Sequence, residues 1–262
     1  MDIYGALEAP LDIGALREAV PELGLAKGLE QGPFHHLDVF GHTLEVIHRI
    51  ERELEEGRIG AEVREDRIDA LRLVGLLHDI AKPLTRGEYE GKVMFVAHDT
   101  LGARLAYRIC RRLGASAGAT DLVTSLTALH LKIGFMGNPR SDYPPERLVR
   151  AAGPFGEELA VLCWADRLAA QGPRLNDEHI ERHRSLCKEF LQASRDSGPY
   201  VMPDYGKMRG RIEALGQGLL GTNIEPVTAP DVGYVAGCAR LLEARSMGPD
   251  DALGYATARI AR

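Results

Sequence analysis

Residues 71–83 read LRLVGLLHDIAKP. The stretch is an apolar helix that turns abruptly to chemistry, presenting His78 and Asp79 side by side and then Lys82. Pro83 follows, and because proline lacks an amide proton and clashes with the preceding turn, the spacing predicts that the helix stops there. A histidine and a carboxylate at the buried end of a helix are costly without a partner. A metal ion suits both, since it takes imidazole nitrogen and carboxylate oxygen alike. Adjacent helical side chains diverge by roughly 100°. The doublet therefore converges on one ion, or bridges two, only from a helix end where the chain turns away.

Outward from this stretch the helical period dominates. Upstream, FHHLDVFGHTLEVIHRIERELEEG opens a long helix, with Asp38 as its N-cap and Gly57 as its stop. Its apolar stripe is Val39, Thr43, Val46, Ile47, Ile50 and Leu54, and His42 lies on it. The organising helix itself is expected over residues 64–80, and residues 86–92 have hairpin or loop character. Downstream, HDTLGARLAYRICRRLG begins a stripe with His98, and DLVTSLTALHLKIG puts His130 in line with Val123, Leu126 and Thr127. In PFGEELAVLCWADRLAAQG, Asp166 is a carboxylate in a row of otherwise apolar side chains. A polar helix over 177–194 follows, and helices are expected near 207–218, 229–244 and 250–260. Residues 1–31 are punctuated by proline and glycine, with a short helix at 13–20, a looser one after Pro21 and no identifiable chemistry. Few β-branched alternating runs occur, so the fold class is all-α. Three parts are expected: an N-terminal segment over 1–31, a main domain over 32–195 and a C-terminal helical extension over 196–262.

Each polar residue taken alone has an ordinary explanation. A lone histidine on an apolar stripe commonly bonds a backbone carbonyl, and a lone aspartate caps a helix or pairs with a cation. The joint pattern is harder to dismiss, because His42, His78, Asp79, His98, His130 and Asp166 all fall on inward faces or ends of different helices. Imidazole with carboxylate and no thiolate suits one or two ions of Mn, Fe, Co, Ni or Zn, with Mg possible, and open coordination positions point to catalysis. Lys82, four residues after His78, and Arg86 beyond it suit a substrate phosphate, although cations after a helix C-terminus are also ordinary solvated charges. His35 and His36 are close enough in sequence to reach the mouth of such a site, and His36 is counted with Lys82 and Arg86 as substrate-binding. His179 and His183 have the i, i+4 spacing of a metal pair but sit in DEHIERHR, which reads as a solvated face.

Composition narrows the setting. A net charge of −6 argues against wholesale binding of nucleic acid or anionic membrane. Cys110, Cys163, Cys187 and Cys238 have neither CxxC spacing nor a disulfide framework, which suits a reducing cytoplasm. The start MDIYGALEAP is not a signal peptide, and no apolar run approaches the roughly 20 residues of a membrane span.

The order of His42, His78–Asp79 and Asp166 resembles the HD superfamily of metal-dependent phosphohydrolases. FHHLDVFGHTLEVI, LLHDIAKP, AHDTLGARLAYRICRRLG and WADRLAA are similar in particular to the HD domain that follows the nucleotidyltransferase head in bacterial CCA-adding and poly(A) polymerase-like enzymes, over about residues 32–172. The resemblance implies His42, His78, Asp79 and Asp166 as metal ligands, His98 and His130 as ligands of a second metal, and Lys82 as a phosphate-side lysine. Asp79 and Lys82 are the implied catalytic residues. Three departures stand out. The family usually has glycine where Ala81 stands; residues 1–31 cannot house a polymerase head; and the chain after about Asp196 matches the RNA-binding tail only faintly. The expectation is a phosphohydrolase for a small phosphoester, a nucleotide or an RNA end, against the alternative of a non-catalytic nucleotide-sensing or partner-binding HD module.

Overall fold

The computed structural model describes residues 2–136, 138, 140–220 and 226–260. The fold is all-α apart from one hairpin. In chain order come α1 (Ile3–Ala6), α2 (Ile13–Ala19), a 3₁₀ turn (Pro21–Ala26), α3 (Val39–Glu56), α4 (Ile68–Leu77) and the single turn α5 (Lys82–Thr85). The hairpin of β1 (Arg86–Tyr89) and β2 (Lys92–Phe95) pairs Arg86 with Phe95. Then follow α6 (His98–Leu113), α7 (Ala117–Leu129), α8 (Pro145–Ala152), α9 (Gly156–Ala169), α10 (Asp177–Asp196), α11 (Tyr205–Leu220), α12 (Ala229–Glu243) and α13 (Pro249–Ala258).

The caps are those the sequence names for α3. Asp38 accepts from the Gly41 amide at 2.7 Å, and Gly57 closes the helix at φ 59°. The organising helix is shorter than its pattern. It breaks at His78, and Pro83 does not end it; Pro83 instead sits in the first turn of α5, where a missing amide proton leaves no bond unmade. That break is the helix end the His78–Asp79 doublet requires. Ala81 lies in the connection at φ −93°, ψ −5°, a conformation open to any side chain, so glycine is not needed there.

α3, α4, α7 and α9 surround the principal core, where Val46, Ile47, Leu73, Leu77, Leu126 and Leu162 are buried. The first segment belongs to it as well: Leu7, Leu16, Val20 and Leu23 are buried in the same cluster. A second, smaller core joins Ile212, Val232, Val235 and Leu253 of the last three helices with Val227 just before α12.

α12 carries these helices onto α7. A methyl group at Gly233 would overlap the Ala117 carbonyl, so the two backbones approach as only glycine permits. Beside this crossing Arg240 is buried, forking onto both oxygens of Asp121 at 2.6 and 3.0 Å and reaching the Ala151 carbonyl at 3.0 Å.

Candidate metal centre

Six side chains from five helices or their ends meet around Asp79, which is 1% exposed. His78 Nε2 lies 3.1 Å and His42 Nε2 3.7 Å from Asp79 Oδ2. On the other oxygen, His98 Nε2 stands at 3.4 Å and His130 Nε2 at 3.7 Å. Asp166, from α9, meets His42 Nε2 at 3.0 Å. One carboxylate thus faces two sets of imidazoles, His42 with His78 and His98 with His130, whose ligating atoms lie within 4.8 Å of one another in each set.

The imidazoles are oriented from behind. Nδ1 of His78, His98 and His130 meets the carbonyl of Gly75, Phe95 and Thr127 at 2.7, 2.7 and 2.8 Å, in each case three residues upstream. A carbonyl only accepts, so Nδ1 carries the proton and Nε2 of the neutral ring presents a bare lone pair to the cavity. Lone pairs aimed at a carboxylate are poorly placed without a cation. Nε2 of His78 and His98, Nδ1 of His42 and Asp79 Oδ1 are buried without a hydrogen-bond partner, while Asp79 Oδ2 has the Lys82 ammonium beside it. Orphaned buried groups cost about 1–3 kcal/mol each, more when charged, and a divalent ion satisfies the set.

The charges follow the geometry. Burial raises the Asp79 pKa, but His78 and Lys82 outweigh it and hold the carboxyl well below its usual range. Burial likewise opposes ionisation of Asp166, and the His42 hydrogen bond reverses it, leaving that pKa lowered. Burial disfavours charge on His78, yet Asp79 prevails and the net shift is upward. For His130, burial and then the His78 charge bring the pKa down to about 4.

The centre opens on a cavity of about 300 Å³. Lys82 stands on its wall, with Nζ 2.6 Å from Asp79 Oδ2 and donating to Gln31 Oε1 at 2.6 Å. Arg86 lies elsewhere: it is exposed at the start of β1 and does not line the cavity, because the hairpin turns Val93, Met94 and Phe95 toward it instead. His36 is also exposed and off the cavity wall, and its neighbour His35 lines it. The cause is backbone anchoring, in which the amides of Gly172 and Arg174 donate to the carbonyls of Phe34 and Pro33 and fold residues 33–35 over the mouth. The His35 ring then stands edge-on to His42 at 4.9 Å.

Two cavity residues carried no clear sequence signal: Gln31 ends a segment without chemistry, and Arg167 is hidden beside Asp166. His183 also departs from its expectation. It is 7% exposed, not solvated, and Nε2 donates to the Cys163 carbonyl at 3.1 Å. Burial, aided by the Arg167 charge, lowers its pKa to about 4. The unfolded chain therefore takes up this proton first as pH falls from about 6.5, and stability drops until about pH 4. The expected loss through this residue is up to roughly 3 kcal/mol, read as the difference in urea unfolding between parent and His183→Gln across that range. Parallel pH profiles would contradict it.

Residues 39–171 match the family model described as HD domain. The chain belongs to the HD domain family. HD domains form a superfamily of metal-dependent hydrolases, and the buried cluster around Asp79 is fit to hold such a metal. Among curated proteins, the chain is similar to an A-adding tRNA nucleotidyltransferase of Deinococcus radiodurans, 34% identical over 239 residues, covering 90% of this chain and 49% of that protein. A CC-adding tRNA nucleotidyltransferase of Thermus thermophilus is 29% identical over 226 residues, covering 81% of this chain and 49% of that protein. A bifunctional uridylyltransferase/uridylyl-removing enzyme of Azospirillum brasilense is 33% identical over 176 residues, 62% of this chain and 18% of that one. This HD chain thus spans about half the length of the two tRNA nucleotidyltransferases it matches. Among its described residues no helix is long and apolar enough to cross a membrane.

Proposed function

We propose that this HD chain is a phosphohydrolase that cleaves a phosphomonoester or phosphodiester of a nucleotide or an RNA end. The observation that carries the reading is Asp79, a buried carboxylate with two imidazoles on each oxygen and the Lys82 ammonium at its side, all at the foot of one cavity. His42, His78, Asp79 and Asp166 would hold one ion, and His98 and His130 with Asp79 a second, of Mn, Fe, Co, Ni, Zn or Mg type. When bound, such an ion supplies Lewis acidity and acidifies a water molecule toward neutral pH.

The protein groups do the rest. Asp79, held ionised by its depressed pKa, would orient the attacking water or accept its proton. Lys82 lies on the cavity wall, where its charge offsets the negative charge growing on the phosphoryl oxygens. His35 is neutral at pH 7, since burial and the Lys82 charge lower its pKa to about 4. It thus offers a hydrogen bond at the mouth without repelling a metal. The similarity to tRNA nucleotidyltransferases supports an RNA end as substrate, and four free cysteines suit a cytoplasmic setting.

The test is turnover of bis-p-nitrophenyl phosphate and of 2′,3′-cyclic nucleotides by the metal-loaded chain in Mn, Co, Ni, Zn or Mg. Release of nitrophenolate or of a ring-opened monophosphate is expected with at least one metal. Uptake of the cyclic nucleotide with no turnover in any of them would instead establish a binding module.

A further inference from the structure

Beside the cavity runs a second, more open groove of about 650 Å³. Phe34, His35 and Arg167 line both, so the groove adjoins the cavity across a shared wall. The groove differs from the rest of the surface in sign. The chain carries 38 acidic against 32 basic residues, yet among the described residues that line the groove there is no carboxylate. Arg167, Arg182 and three histidines line it instead.

Its arginines are not held by carboxylates. Arg49, Arg72, Arg112, Arg195 and Arg240 each meet a carboxylate at 2.6–2.9 Å. Neither Arg167 nor Arg182 pairs with one among the described residues, and Arg167 Nε is buried with no hydrogen-bond partner. A buried guanidinium nitrogen without an acceptor is a donor waiting for an anion.

The third feature is aromatic. Phe34 and Phe135 are 41% and 47% exposed on the groove walls. Both are held at the backbone: the Phe34 carbonyl accepts from the Gly172 amide at 2.8 Å, and Phe135 ends a 3₁₀ turn anchored by buried Ile133. Fixed aromatic faces beside unpaired guanidinium groups stack flat bases of any identity and take the phosphates between them. An acidic peptide would use the arginines but leave the exposed rings without purpose.

We infer that this groove binds the nucleotides next to the reacting end of a single-stranded nucleic acid, with Phe34 and Phe135 stacking bases and Arg167 and Arg182 holding phosphates. The inference rests on the hydrolase reading only for what lies in the cavity; binding in the groove is independent of turnover.

The probe is a fluorescein-labelled hexacytidylate RNA, followed by anisotropy on the full chain with and without Mn. Binding is expected to weaken as salt rises, and to weaken at least tenfold in the Phe34→Ala, Phe135→Ala double variant. Arg182→Glu, at an exposed position that tolerates charge, is expected to weaken binding and flatten its salt dependence. Affinity of both variants within twofold of the parent overturns the groove, as does equal affinity for a tripolyphosphate competitor, which offers charge but no bases. Nitrophenyl-ester turnover separates the two claims. Turnover without RNA binding leaves the hydrolase and removes the groove, whereas RNA binding sensitive to Phe34 and Phe135 without turnover does the reverse.

Discussion

Asp79→Ala is expected to strip the protein of metal and to lower phosphoester turnover by more than about a hundredfold. The size of the effect follows from position. Asp79 alone offers an oxygen to each pair of imidazoles, so removing it takes a ligand from both sets at once. A purely structural role makes a different forecast. If Asp79 were only the counter-ion of Lys82, its loss would leave the ammonium unpaired and destabilise the fold, yet metal uptake by His42, His78 and Asp166 would continue. Metal content and turnover measured on the same preparation separate the two. Metal retained at the parental level would remove Asp79 from the centre.

Asp121→Ala has the second large effect, on stability. Arg240 is 5% exposed, and its guanidinium also meets the Ser125 hydroxyl, the Ala151 carbonyl and the Phe155 ring, none of which bears a charge. Removing Asp121 leaves a buried cation uncompensated, for which about 3–5 kcal/mol is expected in urea unfolding. The loss should appear first in α12, because Arg240 is what that helix sends between α7 and α8. Hydrogen exchange that accelerates in α12 before the principal core is the expected signature. Replacing both partners, as Asp121→Leu with Arg240→Met, should recover much of the loss, since two apolar groups need no pairing. A single-variant loss below about 1 kcal/mol would mean that water reaches the guanidinium.

Both effects arise in segments whose helical period was readable, and this explains what the sequence disclosed. His42, His98 and Asp166 lie on apolar stripes where a polar side chain is an anomaly, so the period itself points them inward. His78 and Asp79 were conspicuous for the same reason, at the end of ten mostly buried positions. Loops give no such contrast. Gln31 and His35 reach the cavity because backbone amides at Gly172 and Arg174 fix the loop over it, a contact between segments far apart in the chain. The choice between His35 and His36 could not be made without that contact.

Three departures from the sequence pattern have local causes. Proline is excluded from a helix interior, which makes Pro83 read as a terminator, but the first turn of a new helix is where it is tolerated. DEHIERHR looks polar all round, yet His183 is turned under α9 with its ring nitrogen on the Cys163 carbonyl. Burial of one imidazole there is compatible with a polar string, since only the tertiary packing decides which face of α10 is covered. Arg86 is near the site in sequence, but the hairpin that begins at it carries it away.

The most direct test of the centre is metal content per chain, by elemental analysis of the purified protein saturated with Mn, Co, Ni or Zn and freed of excess. The arrangement around Asp79 expects two ions per chain in the parent and a deficit in Asp79→Ala. A parent that holds none after saturation would contradict the metal centre and the hydrolase built upon it.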